Sequence, residues 1–158
     1  MPVLAWVKSK LGVPQPTGPA TPIRRFTPSV DVPIAGDGVA EIEDGWRLET
    51  DGQRTFRLFE VSDPSVERCT VTYRATLRSE GVQKRAYLET RCRFPGQGEY
   101  FSKGFHNAIE GDNAWASYEI PFHLKSGEHP DLIKLNLVFD GPGAVELRAV
   151  NLTATPVA

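Results

Sequence analysis

An antiparallel all-β fold, a jelly-roll sandwich of about eight strands behind an N-terminal proline-rich arm, is what this sequence predicts. From Val39 onward, hydrophobic residues alternate with polar ones at period two. The alternating runs are rich in β-branched and aromatic residues and end in clusters of Gly, Asp, Pro and Ser. No repeat of fixed period is visible, which removes solenoids and propellers. A length of 158 residues suits one domain that buries about 70% of its unfolded surface.

The elements follow in order. Val3, Leu4, Val7 and Leu11 recur at helical spacing with Trp6 beside them and Lys8 and Lys10 opposite, which predicts a short amphipathic helix over residues 1–13. A helix of about ten residues is marginal alone. It is expected to pack on its own domain or to dock on a protein or membrane surface. Seven of the 13 prolines fall within residues 1–36, so residues 14–36 are expected to form an extended linker or wrapping arm. The body, residues 37–158, has strands predicted at Ala40–Ile42, Trp46–Thr50, Thr55–Glu60, Arg68–Ser79, Lys84–Phe94, Ala114–Phe122, Leu132–Phe139 and Ala144–Thr153.

Alternation assigns the faces. Cys69, Val71, Tyr73, Ala75 and Leu77 share one side, Thr70, Thr72, Arg74, Thr76 and Arg78 the other. Ala86, Leu88, Cys92 and Phe94 likewise oppose Tyr87, Glu89, Arg91 and Arg93. Leu77, Leu88, Leu135 and Leu137 are expected in the core. The polar run Ser79–Gln83 reads as the turn of a hairpin, and Asp140–Gly143 as a tight turn between the last two strands. Residues 95–112, with Tyr100, Phe101, Lys103 and Phe105, read as a long aromatic loop that is either a binding site or a lid packed over the sandwich end. Cys69 and Cys92, inward on neighbouring strands, are expected as reduced core thiols, with a cross-strand disulfide as the alternative.

Charge narrows the partners. The formal net charge of −2 gives no drive toward nucleic acid. No apolar stretch approaches the roughly 20 residues of a membrane span. Lys8 and Lys10 interrupt the start, so no secretory signal is read and a cytoplasmic location is expected. Asn151–Thr153 matches a glycosylation acceptor but falls in a predicted strand.

Several runs carry a resemblance. Trp46-Arg-Leu-Glu, Arg57-Leu-Phe-Glu-Val, Tyr73 to Gly81, Ala86-Tyr-Leu-Glu, Asn113 to Phe122 and Gly143 to Leu152 together resemble the galactose-binding-like jelly rolls that include many carbohydrate-binding modules. The resemblance covers about residues 39–155 and implies a sandwich that binds sugar or protein. In that family paired Asp residues on the final strand serve a structural calcium site. Arg148 and Ala149 hold those positions here, which counts against calcium, and no cofactor is expected.

No nucleophile elbow, zinc-protease motif or phosphate loop is present, so an enzyme is not expected. Glu89 and Glu119 are the carboxylates to inspect for a glycosidase pair. The polar sides of the strands offer a sugar site if those strands are sheet neighbours. Tyr87 or Trp115 would give the aromatic platform, and Arg74, Glu89, Arg91 and Asn136 the hydroxyl-binding forks, with Tyr100 from the 95–112 loop. The function read from the sequence is therefore a non-catalytic binding module for carbohydrate, through the polar sheet face or the 95–112 loop. The alternative is a protein-interaction or scaffold domain with an N-terminal docking peptide.

Overall fold

The structure, a computed structural model, describes residues 14–158, and the helix expected over residues 1–13 lies outside them. Among the described residues the strands are β1 (Thr21–Arg25), β2 (Val39–Ile42), β3 (Gly45–Thr50), β4 (Arg54–Ser62), β5 (Cys69–Phe94), β6 (Gly98–Lys103), β7 (Ile109–Leu124), β8 (Leu132–Phe139) and β9 (Gly143–Pro156). Every pairing is antiparallel.

The 26-residue β5 organises the fold. Its first half pairs with β9 on one side and β7 on the other, while its second half pairs with β8 and β6. One layer therefore runs β2-β3-β9-β5-β7, with β1 sharing the edge of β9 beyond β3, and the second runs β4-β8-β5-β6. The result is a jelly-roll β-sandwich made by curling one antiparallel sheet.

The hairpin expected at Ser79–Gln83 does not form. The same residues bend a continuous strand: Gly81 and Lys84 take φ of 58° and 63°, and the register slips between Ser79 and Val82 and again between Val82 and Ala86. Bulges of this kind increase local twist and carry a strand from one sheet to another. They also change the phase of alternation. Inward residues are Cys69, Val71, Tyr73, Ala75 and Leu77 before the bend, and Val82, Ala86, Leu88, Cys92 and Phe94 after it.

The turn at Asp140–Gly143 likewise does not close a hairpin, because β8 and β9 both pair with β5 and not with each other. It carries the chain between sheets beside the β5 bend. A Cβ on Gly143 would lie 2.6 Å from the Val82 Cα, so only glycine permits that approach.

The inner faces share one core. Phe26 stacks on Phe59 with ring centroids 4.2 Å apart, and Trp46 meets Phe59 edge-on at 5.1 Å, which ties the two sheets together. Leu77, Leu88, Leu135 and Leu137 are buried as expected. Cys69 and Cys92 are buried and unbonded, but they lie in the two halves of β5 and so in different sheets, not on hairpin neighbours.

Residues 14–36 lie along the sandwich. Thr17 N–H donates to the Pro156 carbonyl at 2.9 Å, β1 joins the edge of β9, and Ile34 and Ala35 N–H groups donate to the carbonyls of Leu58 and Arg57 on β4. Pro22 is tolerated in β1 because that strand is an edge and shifts register after it. Residues 95–112 are not the loop expected: they supply β6, a 3-10 turn at Phe105–Asn107 and the start of β7.

Candidate functional site

The outer face of β4, β8, β5 and β6 brings together most of the chemistry the sequence points to. Register sets Arg57, Asn136, Glu89 and Lys103 side by side across the four strands, with Glu60, Lys134, Arg91 and Phe101 in the next row. Glu89 is the floor of this face, its side chain only 2% exposed. Its carboxylate accepts hydrogen bonds from Asn136 Nδ2 at 2.9 Å and from Arg91 Nε at 3.0 Å, and Lys103 Nζ lies 3.8 Å away. A buried carboxylate persists only with such partners.

Glu99 continues the mesh, 2.8 Å from Lys134 Nζ and 3.3 Å from Arg91 Nη1. The Lys134 hydrogen bond holds the Glu99 carboxyl below the usual carboxylate range, and the hydrogen bond to Glu89 raises the Arg91 guanidinium. The forks are thus fixed in place and their charges matched.

Two phenyl rings stand on this floor. Phe101 is 57% and Phe105 46% exposed. Lys103 Nζ lies 4.7 Å from the Phe101 centroid and the Arg85 guanidinium 4.3 Å from that of Phe105, which orients both rings. Phe105 reaches its place through Gly104, whose N–H donates to the Leu88 carbonyl at 2.8 Å. A Cβ on Gly104 would come 2.8 Å from Ile120 Cγ2 and push the turn off the sheet. Exposed aromatic faces beside fixed donors and acceptors can stack on sugar C–H groups and hydrogen-bond their hydroxyls.

The structure redistributes the expected site residues. Glu89, Arg91 and Asn136 are together on this face. Tyr87 shares it but is 5% exposed beneath Phe105, edge-on at 4.9 Å, so it supports a platform and does not form one. Burial raises its phenol pKa. Tyr100 opposes Cys92 and so alternates toward the inner side, at the sandwich edge against Phe94. Arg74 and Trp115 lie on the outer face of the other sheet, where Trp115 is half-buried under the Arg148 guanidinium, 4.1 Å from the ring centroid. The expectation that all these residues line one surface fails because β5 and the β8–β9 connection cross between sheets. Glu119, opposite Arg74, is for the same reason separated from Glu89, and the two cannot form a glycosidase pair.

Phe101, Lys103 and Phe105 belong to the 95–112 stretch expected as a possible binding loop, and the structure places them on a strand and a turn beside the polar sheet face. Glu99, Phe101 and Lys103 do alternate with period two, but flanking Gly96, Gly98 and Gly104 give the run the look of a loop. Burial pushes the Cys92 thiol up to about 12, so it carries no thiolate at neutral pH. At the calcium-associated positions Arg148 presents a cation and Ala149 no side-chain oxygen, so these two residues do not fit a metal ion.

No protein-family model and no curated protein matches the sequence. Solved structures do match in fold. The CBM22-1 xylan-binding domain from Paenibacillus barcinonensis aligns with a TM-score of 0.55 at 12% identity, over 89% of this chain and 95% of that one. The CBM22-1 and GH10 modules of a Clostridium thermocellum endo-1,4-beta-D-xylanase, complexed with xylohexaose, align with a TM-score of 0.58 at 9% identity, over 87% of this chain but 28% of that one. A CBM4 structure aligns with a TM-score of 0.54 at 6% identity, over 75% of this chain and 76% of that one. The chain has the β-sandwich fold of carbohydrate-binding modules.

Proposed function

We propose that the protein is a non-catalytic carbohydrate-binding module that takes a neutral glycan chain on the outer face of β4, β8, β5 and β6. The observation that carries this reading is the pair Phe101 and Phe105, large apolar rings left in solvent above a sheet floor whose polar groups are already fixed. Two sugar-facing rings contribute stacking area, and Arg91 and Lys103 orient hydroxyls, with Asn136 holding Glu89 in place beneath them. The shared fold with a xylan-binding domain and with modules solved with xylohexaose supports xylan-type chains as the first ligand to try. The test is affinity electrophoresis through gels containing soluble xylan or other neutral glycans. The wild type is expected to be retarded, and Phe101→Ala and Phe105→Ala to lose at least about tenfold in affinity. Free migration of folded wild type in every neutral glycan would overturn the proposal and transfer the function to protein interaction.

A further inference from the structure

The opposite outer face carries a charge arrangement that a neutral glycan does not use. Here β1, β9, β5 and β7 set Arg25, Asn151, Arg74 and Glu119 in one row. Thr153 and Thr72 lie in the row on one side, Thr76 and Ser117 in the row on the other. Among these residues is an open cavity of about 390 Å³, lined by Arg24, Arg25, Arg74, Thr76, Ser117 and Asn151 among others. That size lies within the roughly 300–1,000 Å³ of small-molecule sites.

The arginines differ in their partners. Arg24 is held by Asp31. Among the described residues Arg25 and Arg74 make no ion pair, although Glu119 is the register neighbour of Arg74. Arg148, beside Thr76, stacks on Trp115, and its Nε is buried without an acceptor among the described residues. The floor is pinned. Ala149 takes φ of 52°, unusual for a residue with a Cβ, and Asn151 Nδ2 donates to its carbonyl at 3.0 Å.

Arg25 and Arg74 flank Asn151 from strands two spacings apart, about 10 Å, so their long side chains can converge above it from both sides. Guanidinium forks match carboxylate and sulfate oxygens in bidentate geometry. Surrounding hydroxyls suit a ligand that is hydroxyl-rich as well as charged. The chain as a whole is negative, so a bare polyanion gains nothing from the rest of the surface.

We propose that this cavity is a second binding site, for an anionic sugar residue whose carboxylate or sulfate lies between Arg25 and Arg74 and whose hydroxyls meet Thr76, Ser117 and Thr153. The site is independent of the Phe101–Phe105 face. Calorimetric titration of the full chain with polygalacturonate, dextran sulfate and neutral dextran tests it. Binding of at least one acidic polymer is expected, and any binding of dextran should be lost in Phe101→Ala while the acidic polymer's is kept, with polygalacturonate alone assigning a carboxylate and dextran sulfate alone a sulfate. The double variant Arg25→Gln/Arg74→Gln should weaken that binding at least tenfold without a change in melting temperature. Arg68→Gln/Lys84→Gln, which removes two charges elsewhere, should change it less than twofold, and Phe101→Ala should not change it. No binding of either acidic polymer would overturn the proposal, as would equal loss in the two double variants or loss in Phe101→Ala.

Discussion

The two outer faces of the sandwich are built from the same kind of sequence, strands alternating apolar with charged or hydroxyl residues, yet parts of them leave their arginines in different electrostatic surroundings. On the β4-β8-β5-β6 face Arg57, Arg85, Arg91, Arg93, Lys103 and Lys134 each touch a carboxylate. On the other sheet Arg47 and Arg78 are likewise paired, with Glu80 and Glu146, but on its β1-β9-β5-β7 part Arg25 and Arg74 stand among hydroxyls and an amide instead. Register makes the difference. Glu89 lies between Asn136 and Lys103 in a buried row, whereas Glu119 sits at the end of its row beyond Arg74, exposed, with no ion pair to it among the described residues. The first is a charge-matched mesh under two exposed rings. At the second, Arg25 and Arg74 have no ion pair among the described residues.

The comparison predicts unequal costs for substitutions that look alike in the sequence. Tyr87→Ala should destabilise the protein by about 3 kcal/mol, because the ring is buried under Phe105 and its loss opens a cavity. An exposed tyrosine platform would instead show lost binding at unchanged stability, so denaturant unfolding separates the two. Glu89→Ala should cost about 2–4 kcal/mol, since Arg91, Lys103 and Asn136 lose a shared buried partner. A cost below about 1 kcal/mol would mean that the mesh is solvated and not structural.

Acid should weaken the first face through Glu99. Glu99 has a carboxyl pKa depressed by Lys134 in the folded state, so its contribution is complete above the unfolded value of about 4.3 and is lost as pH falls through the lower folded value. Melting temperature should therefore drop in that window, and Glu99→Gln should flatten the drop. The arginines of the second face do not titrate there. The smallest effect belongs to Arg74→Gln, expected to change stability by less than about 0.5 kcal/mol because the side chain is exposed and unpaired. A large loss on thermal unfolding would show a structural partner for this arginine.

Much of this was legible in the sequence, and what was not has a physical cause. β8 is bounded at Leu132 and Phe139 as the alternation predicts, and Leu88 and Leu77 are core because period two survives within each half of β5. The bend at Gly81 was opaque because a positive-φ glycine among polar residues has the same composition in a hairpin turn and in a bulged crossover. That one ambiguity decides whether Arg74 and Arg91 share a surface. β6 was hidden by its glycines. β1 was hidden by Pro22, which an edge position tolerates and a central one does not.

The most direct test of glycan recognition on the β4-β8-β5-β6 face is an amide NMR titration of the wild-type chain with xylohexaose and related neutral oligosaccharides. The expected result is shift changes concentrated at Arg91, Phe101, Lys103, Phe105, Lys134 and Asn136, with Arg74, Trp115 and Asn151 silent. Changes centred on Arg74 and Trp115, or a spectrum unmoved at millimolar concentrations of every neutral oligosaccharide, would contradict it.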